Sequence, residues 1–191
     1  TRHARKAIEA GVDGIICVAA GAGGHGGVLN PMPFISEVRE MFDGIVIVAG
    51  AISSGQDLAT AMQMGADLAY MGTRFINTKE AVASEAYKKM IIEGGTQDIV
   101  YTAAVSGVNG NYLRQSLEAA GITKEVWASQ SKMDFSKAND KEAKAWKNIW
   151  SAGQGVATIK DSLPASELIE HLKKEFKEAL ESQAKLLDRW F

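Results

Sequence analysis

A chain of 191 residues, 46% hydrophobic and 23% charged, has the make-up of a globular protein holding one domain, or one and part of another. Its net charge is −2, with acids and bases interleaved, so no bulk field draws it to nucleic acid or to an anionic membrane. Its longest apolar stretches are strand-length, too short for a membrane-spanning helix. The single cysteine, Cys17, excludes an internal disulfide; it lies in an apolar run and reads as a reduced core thiol of a cytoplasmic protein.

The opening residues, Arg2 to Ala10, have a helical pattern that stops at Gly11. They do not read as a signal peptide, and the absence of an initiator methionine before them suggests a truncated sequence. Asp13 to Ala19 is a short apolar run, as expected of a strand buried on both faces. After a Gly-rich loop, Asn30-Pro31 forms an N-cap and first-turn pair that opens a helix from Met32 to Phe42. Gly44 to Ala49 is a second buried strand, and Gly50 to Ser54 leads into a helix from Gly55 to Met64. Ser54 and Asp57 make a capping box there, with Gly65 as the stop. Asp67 to Met71 is a third strand, ending at Gly72-Thr73. Strand and helix alternating at this spacing form parallel βαβ units, in an open doubly wound sheet or in a (β/α)8 barrel.

The loops separate these two folds. A dinucleotide-binding sheet would carry Gly-x-Gly-x-x-Gly after its first strand and an acid at the end of its second. Here the second strand ends in Ala49-Gly50-Ala51. Two successive strand ends are trimmed to small residues, Gly50-Ala51 and Gly72-Thr73. Backbone N–H groups can approach a phosphate there, and the following helix can add its positive end. Taken singly, either glycine simply permits a tight turn. Taken as a pair, they match the phosphate site after strands 7 and 8 of a barrel, so the chain reads as about strands 6 to 8 of a (β/α)8 TIM barrel. Such an arc would leave two sheet edges open, and an inert or aggregating fragment is one expectation for it.

His25 stands in the loop Gly21-Ala22-Gly23-Gly24-His25-Gly26-Gly27, after the first strand and on the face where barrel chemistry occurs. The glycines allow close approach to a ligand and offer nothing to bury, so His25 is not an ordinary core histidine. An imidazole can take a proton from an activated carbon or give one to a reduced quinone or a carbonyl. The bland alternative is a surface histidine in a flexible loop. His3 and His171 fall on exposed helix faces, and no Cys/His/carboxylate cluster has metal-ligand spacing. Ser53-Ser54 lacks the Gly-x-Ser-x-Gly elbow of a serine nucleophile.

The second half is less patterned. Glu80 to Glu93 reads as an amphipathic helix with Ala81, Ala86, Tyr87, Met90 and Ile91 available for its apolar face. Asp98 to Thr102 is strand-like; Val105 to Tyr112 is turn-rich, with Gly110 or Asn111 placed to cap a helix from Tyr112 to Ala120. Lys132 to Lys147 is charged, and Trp146 and Trp150 fall on one helix side as packing anchors. Pro164 opens a last helix to about Leu187, striped by Leu168, Leu172, Phe176 and Leu180, which packs on the barrel or on a partner subunit. The division expected is barrel over 1–95 and a mostly helical excursion with C-terminal helices over 96–191.

Three stretches in order, Ala22 to Gly27, Val48 to Ile52 and Tyr70-Met71-Gly72-Thr73-Arg74-Phe75, resemble the nitronate monooxygenase family of FMN-dependent TIM-barrel oxidoreductases. Trp150 to Gly155 is similar to that family's late Ala-Gly-Gln segment. The resemblance implies FMN as cofactor, His25 as general base, and flavin contacts from Gly23 and Gly24. It further implies an FMN phosphate held at Gly50, Ala51, Tyr70, Met71, Gly72 and Thr73, and Gln154 as a polar group near flavin or substrate. The chain departs from the family pattern at Ala51, where a second glycine is usual, at Tyr70, where Gln is common, and at Val18, where a flavin-contacting Gln often stands. Ala51 is harmless at negative φ and costly at positive φ. The activity implied is oxidation of nitronates or nitroalkanes with oxygen. The alternatives are an NAD(P)H-dependent quinone or enoyl-thioester reductase on the same frame, and a flavin-free phosphate-binding or scaffold protein.

Overall fold

The computed structural model describes residues 1–129 and 149–190; the charged stretch Lys132 to Lys147, with Trp146, lies outside them. Three strands, β1 (Gly14–Val18), β3 (Ile45–Ala49) and β4 (Leu68–Tyr70), form a parallel sheet in the order β1-β3-β4. Gly14 pairs with Ile45, Val18 with Ala49, and Ala49 with Tyr70, so all three strands end together at one edge. The helices α1 (Arg2–Glu9), α2 (Pro31–Arg39) and α3 (Gly55–Gln63) alternate with them. Their boundaries follow local chemistry. Asn30 accepts the Met32 amide at α2, and Ser54 and Asp57 close the capping box of α3.

The core lies on one face of this sheet. Ile15, Cys17, Val46 and Val48 are buried against Ala4 of α1, Ile35 and Val38 of α2 and Ala61 of α3. Burial away from water pushes the Cys17 thiol up from its ordinary value. The opposite face is open: Ile16 is 50% exposed, Val18 41% and Leu68 53%. This corrects the expectation of strands buried on both faces, because the helices cover only the side to which odd residues of β1 and even residues of β3 point. At the far edge of the sheet Arg39 holds the strand starts together, donating to the carbonyls of Gly65 (2.6 Å) and Gly44 (2.7 Å) and to Asp67. Asp67 also accepts the Val46 amide at 2.8 Å.

Beyond β4 the chain makes a short α4 (Thr73–Ile76) and then α5 (Glu85–Glu93). α5 begins later than the periodicity suggests. Ser84 caps it by accepting the Tyr87 amide at 3.2 Å, while Glu80 accepts the Ala165 amide at the start of another helix. Tyr87, Met90 and Ile91 pack inward as expected, whereas Ala86 is exposed and Lys88 is buried. The turn-rich segment holds a second sheet, antiparallel, in the order β2-β6-β5: β2 is Gly24–His25, β5 Ile99–Thr102 and β6 Gly110–Leu113. Gly110 and Asn111 therefore do not cap a helix. They pair with His25 and Gly24 respectively, and α6 (Arg114–Ala119) starts only after Leu113.

A short α7 (Lys124–Ala128) follows, and α8 (Ala165–Trp190) closes the described chain. Leu168 and Leu172 of α8 are buried, but Leu180 is 38% exposed and Ala179 takes its place inside. An apolar row spaced by four drifts off the contact line of a 3.6-residue turn, so an i+3 step has to correct it. α8 lies directly on α3. A Cβ on Gly55 would stand 2.3 Å from the Phe176 nitrogen and 2.4 Å from the Leu172 oxygen, so only glycine admits so close an approach.

Candidate functional site

The common edge where β1, β3 and β4 end opens into a cavity of about 380 Å³, within the roughly 300–1,000 Å³ of pockets that take small ligands. Four pieces of backbone make its wall: the loop after β1, the Gly50-Ala51 turn after β3, Gly72-Thr73 after β4, and Ser151, Gly153 and Gly155 from the late segment. Ile16, Val18 and Tyr70 contribute the apolar side. Among the described residues, no carboxylate lines it.

The late segment reaches the wall because both sides are trimmed to glycine. A Cβ on Gly153 would lie 2.5 Å from the Gly21 oxygen, and one on Gly155 would lie 2.2 Å from the Ser53 hydroxyl. The Gln154 amide donates to Gly21 O at 2.9 Å, and the Gly153 amide donates to the Thr73 hydroxyl oxygen at 3.0 Å. Farther along, Arg74 pairs with Asp161 at 2.8 Å, and Asn77 donates to the Asp161 carbonyl at 2.6 Å. Trp150, just before Ser151, stacks on Tyr87 with ring centroids 5.0 Å apart and an interplanar angle of 13°. Tyr87 also donates its hydroxyl to the Ser151 carbonyl, and burial raises its pKa above that of an ordinary phenol.

Of the residues singled out in the sequence, His25, Gly23, Gly50, Ala51, Tyr70, Gly72 and Thr73 all line this cavity. Gly24 and Met71 stand off the wall: Gly24 pairs with Asn111, and Met71 packs against the core. Gln154 is off it too, with Gly153 and Gly155 on the wall at either side. At the start of α3 several amides already have partners within the protein. Asp57 accepts the Ser53 and Ser54 amides at 2.9 Å each, and Glu175 accepts the Gly55 amide at 2.7 Å. Those three donors are engaged within the protein and are not free for a phosphate. Ala51 has φ 56°, the left-handed region, and among the described residues no other non-glycine has positive φ.

The second sheet holds the histidine loop. Asn111, 3% exposed, donates to Ala22 O at 2.7 Å, and Tyr101 donates to Gly26 O at 3.2 Å. His25 Nε2 lies 2.9 Å from the Ser106 hydroxyl. Nothing in the sequence marks Asn111, Tyr101 and Ser106 as site residues. They lie about eighty residues beyond the loop they hold, and nothing local in a turn-rich stretch marks such a pairing.

A family model described as nitronate monooxygenase matches residues 1–175. The chain belongs to the nitronate monooxygenase family. It is 32% identical, over 94% of its length, to a nitronate monooxygenase of Paraburkholderia phytofirmans, and 28% identical, again over 94%, to one of Neurospora crassa. It spans about half the length of these curated relatives, 53% and 52%. Among solved structures it is similar to FabK from Thermotoga maritima, with TM-score 0.79 and 28% identity, covering 96% of this chain and 60% of that one. It is also similar to the nitroalkane oxidase from Streptomyces ansochromogenes, with TM-score 0.75 and 28% identity, covering 95% and 56%. No helix among the described residues is long and apolar enough to cross a membrane.

Proposed function

We propose that this chain carries the flavin-facing half of an FMN-dependent oxidoreductase that oxidises nitronates or nitroalkanes with oxygen, with His25 as the proton acceptor. Its parallel sheet is read as an arc of a (β/α)8 barrel whose open face turns toward the barrel interior. The observation that carries the reading is the convergence of His25 and two small-residue strand ends on one cavity.

The residues present suit the cofactor. Gly72 lines the cavity and has nothing within 4 Å of where a side chain would start, so a ligand can approach its backbone closely. The amides of Gly50, Ala51, Gly72 and Thr73 would hold a phosphate, and none of the described residues on the wall brings a carboxylate to repel it. Thr73 accepts from Gly153, which leaves its hydroxyl proton for a phosphate oxygen. Gly23 would lie against the ring system, and Gly24 and Met71 would support the two loops from behind. A bound flavin would supply the two-electron redox chemistry. His25, on the same wall, would take the proton from the carbon next to the nitro group, a step needed for a neutral nitroalkane and already accomplished in a nitronate.

A second reading keeps cavity and cofactor but uses NAD(P)H to reduce a quinone or an enoyl thioester. FabK and the nitroalkane oxidase are matched at the same 28% identity, so likeness alone does not choose between the two. An absorbance spectrum of the holoprotein, followed by anaerobic addition of a nitronate and then of NADH, does. Bleaching of a flavin spectrum by the nitronate supports the first reading, bleaching by NADH alone supports the second, and a spectrum without flavin refutes both. His25→Asn should keep the flavin and lose on the order of a hundredfold or more in nitroalkane turnover, the contribution of a positioned general base; undiminished turnover removes His25 from the mechanism.

A further inference from the structure

We propose that Ser106 is a positioning residue for His25, accepting the Nε2 proton so that Nδ1 is the basic nitrogen offered to the cavity. The proposal deepens the reading of His25 as proton acceptor and rests on it. Ser106 Oγ lies 2.9 Å from His25 Nε2 and donates to the Val108 carbonyl at 3.0 Å, while the Val108 amide returns to it at 3.4 Å. A hydroxyl has one proton. The Val108 carbonyl can only accept, so in this arrangement the hydroxyl proton goes to it at 3.0 Å and the oxygen faces His25 as an acceptor. Nε2 then carries the hydrogen in the proposed tautomer, and the neutral ring keeps its lone pair on Nδ1. Because His25 is on the cavity wall and Nε2 is engaged, Nδ1 is the nitrogen left to receive a substrate proton.

Both side chains are exposed, so the backbone rather than burial sets their register. The turn bearing Ser106 joins β5 to β6, and β6 pairs with the two residues of β2, Gly110 opposite His25 and Asn111 opposite Gly24. The Asn111 and Tyr101 side chains fasten the same two pieces at Ala22 O and Gly26 O. The excursion thus serves as a bracket that fixes the imidazole from behind.

Nitrogen-15 NMR of histidine-labelled protein at a pH where the imidazoles are neutral reads the tautomer directly, in the protein with or without cofactor. Only His3, His25 and His171 contribute, and His25→Asn assigns the signal. The expected result is a pyrrole-like Nε2 and a pyridine-like Nδ1 at His25, more widely separated than in the two exposed helix histidines. Ser106→Ala should bring His25 to their averaged values, and Ser106→Thr, which keeps the hydroxyl, should restore the separation. A pyrrole-like Nδ1 in the unaltered protein, or a His25 signal that Ser106→Ala leaves in place, overturns the proposal.

In the holoprotein, Ser106→Ala should lower nitroalkane turnover about tenfold relative to nitronate turnover, part of what a well-placed base supplies, and Ser106→Thr should recover it. Equal losses on both substrates overturn the positioning role. If His25→Asn itself spares nitroalkane turnover, the base assignment fails, and the nitrogen signals then decide the tautomer separately.

Discussion

Ala51→Gly relieves a strain that sits in the wall of the cavity. Ala51 has φ 56°, and left-handed backbone costs an L-residue about 1–2 kcal/mol from the clash between Cβ and carbonyl oxygen. Glycine removes that clash but adds freedom to the unfolded chain, which returns roughly 0.4–1 kcal/mol. The methyl is exposed, so its loss takes almost no buried apolar area with it. The net expectation is a gain of about 0.5–1 kcal/mol, or about 1–4 °C in Tm for a chain of this size. Urea denaturation at constant m, paired with calorimetry, measures it. Ala51→Val provides the opposing arm: a β-branched side chain tolerates positive φ least, so this variant should lose more than the glycine variant gains. A lower urea midpoint for Ala51→Gly would refute the reasoning, because it would mean that the methyl contributes more than the strain costs. On the proposed function, the glycine variant should bind FMN at least as tightly, since the loop amides keep their places without strain.

At Gly55, alanine would place a Cβ within 2.3 Å of the α8 backbone; the helix must lift, and equilibrium unfolding should show a loss of about 1–3 kcal/mol, the usual cost of overpacking. Acid titration of stability should reveal Asp67, whose carboxyl is held below the ordinary range first by the Val46 amide and then by Arg39. A depressed folded pKa means that this contribution is complete above the unfolded value, about 3.9, and is lost as pH falls through the folded one. Asp67→Asn should therefore flatten the acid limb of the stability curve and leave its shape near neutrality alone. An acid limb unchanged by the substitution would show that the carboxylate's partners add nothing to folding.

The elements legible in the sequence are those set by neighbours a few residues apart. The capping box of Ser54 and Asp57 and the Asn30 cap lie where the residue types place them, since a side-chain oxygen within three residues of a free amide needs no distant partner. The alternation of strand and helix through Tyr70 was equally local, and so were the small-residue strand ends that meet at the cavity. The late start of α5 was not local, because Glu80 serves α8 across 85 residues of chain. Nor was the one-sided burial of β1, where both faces of Ile15 to Val18 are written in apolar residues and only packing distinguishes them.

Residue types alone thus determined the parallel units, the helix caps and the glycine-rich ends on which a ligand can be received. Only the tertiary structure decided the left-handed turn at Ala51, the closing of Gly153 and Gly155 onto the histidine loop, and the bracket that brings Ser106 to His25. Capping and periodicity act over a turn or two of chain and leave a mark in composition. A strand pairing across some eighty residues is stabilised by backbone hydrogen bonds that any sequence can make, so nothing in the residues of β6 announces its partner.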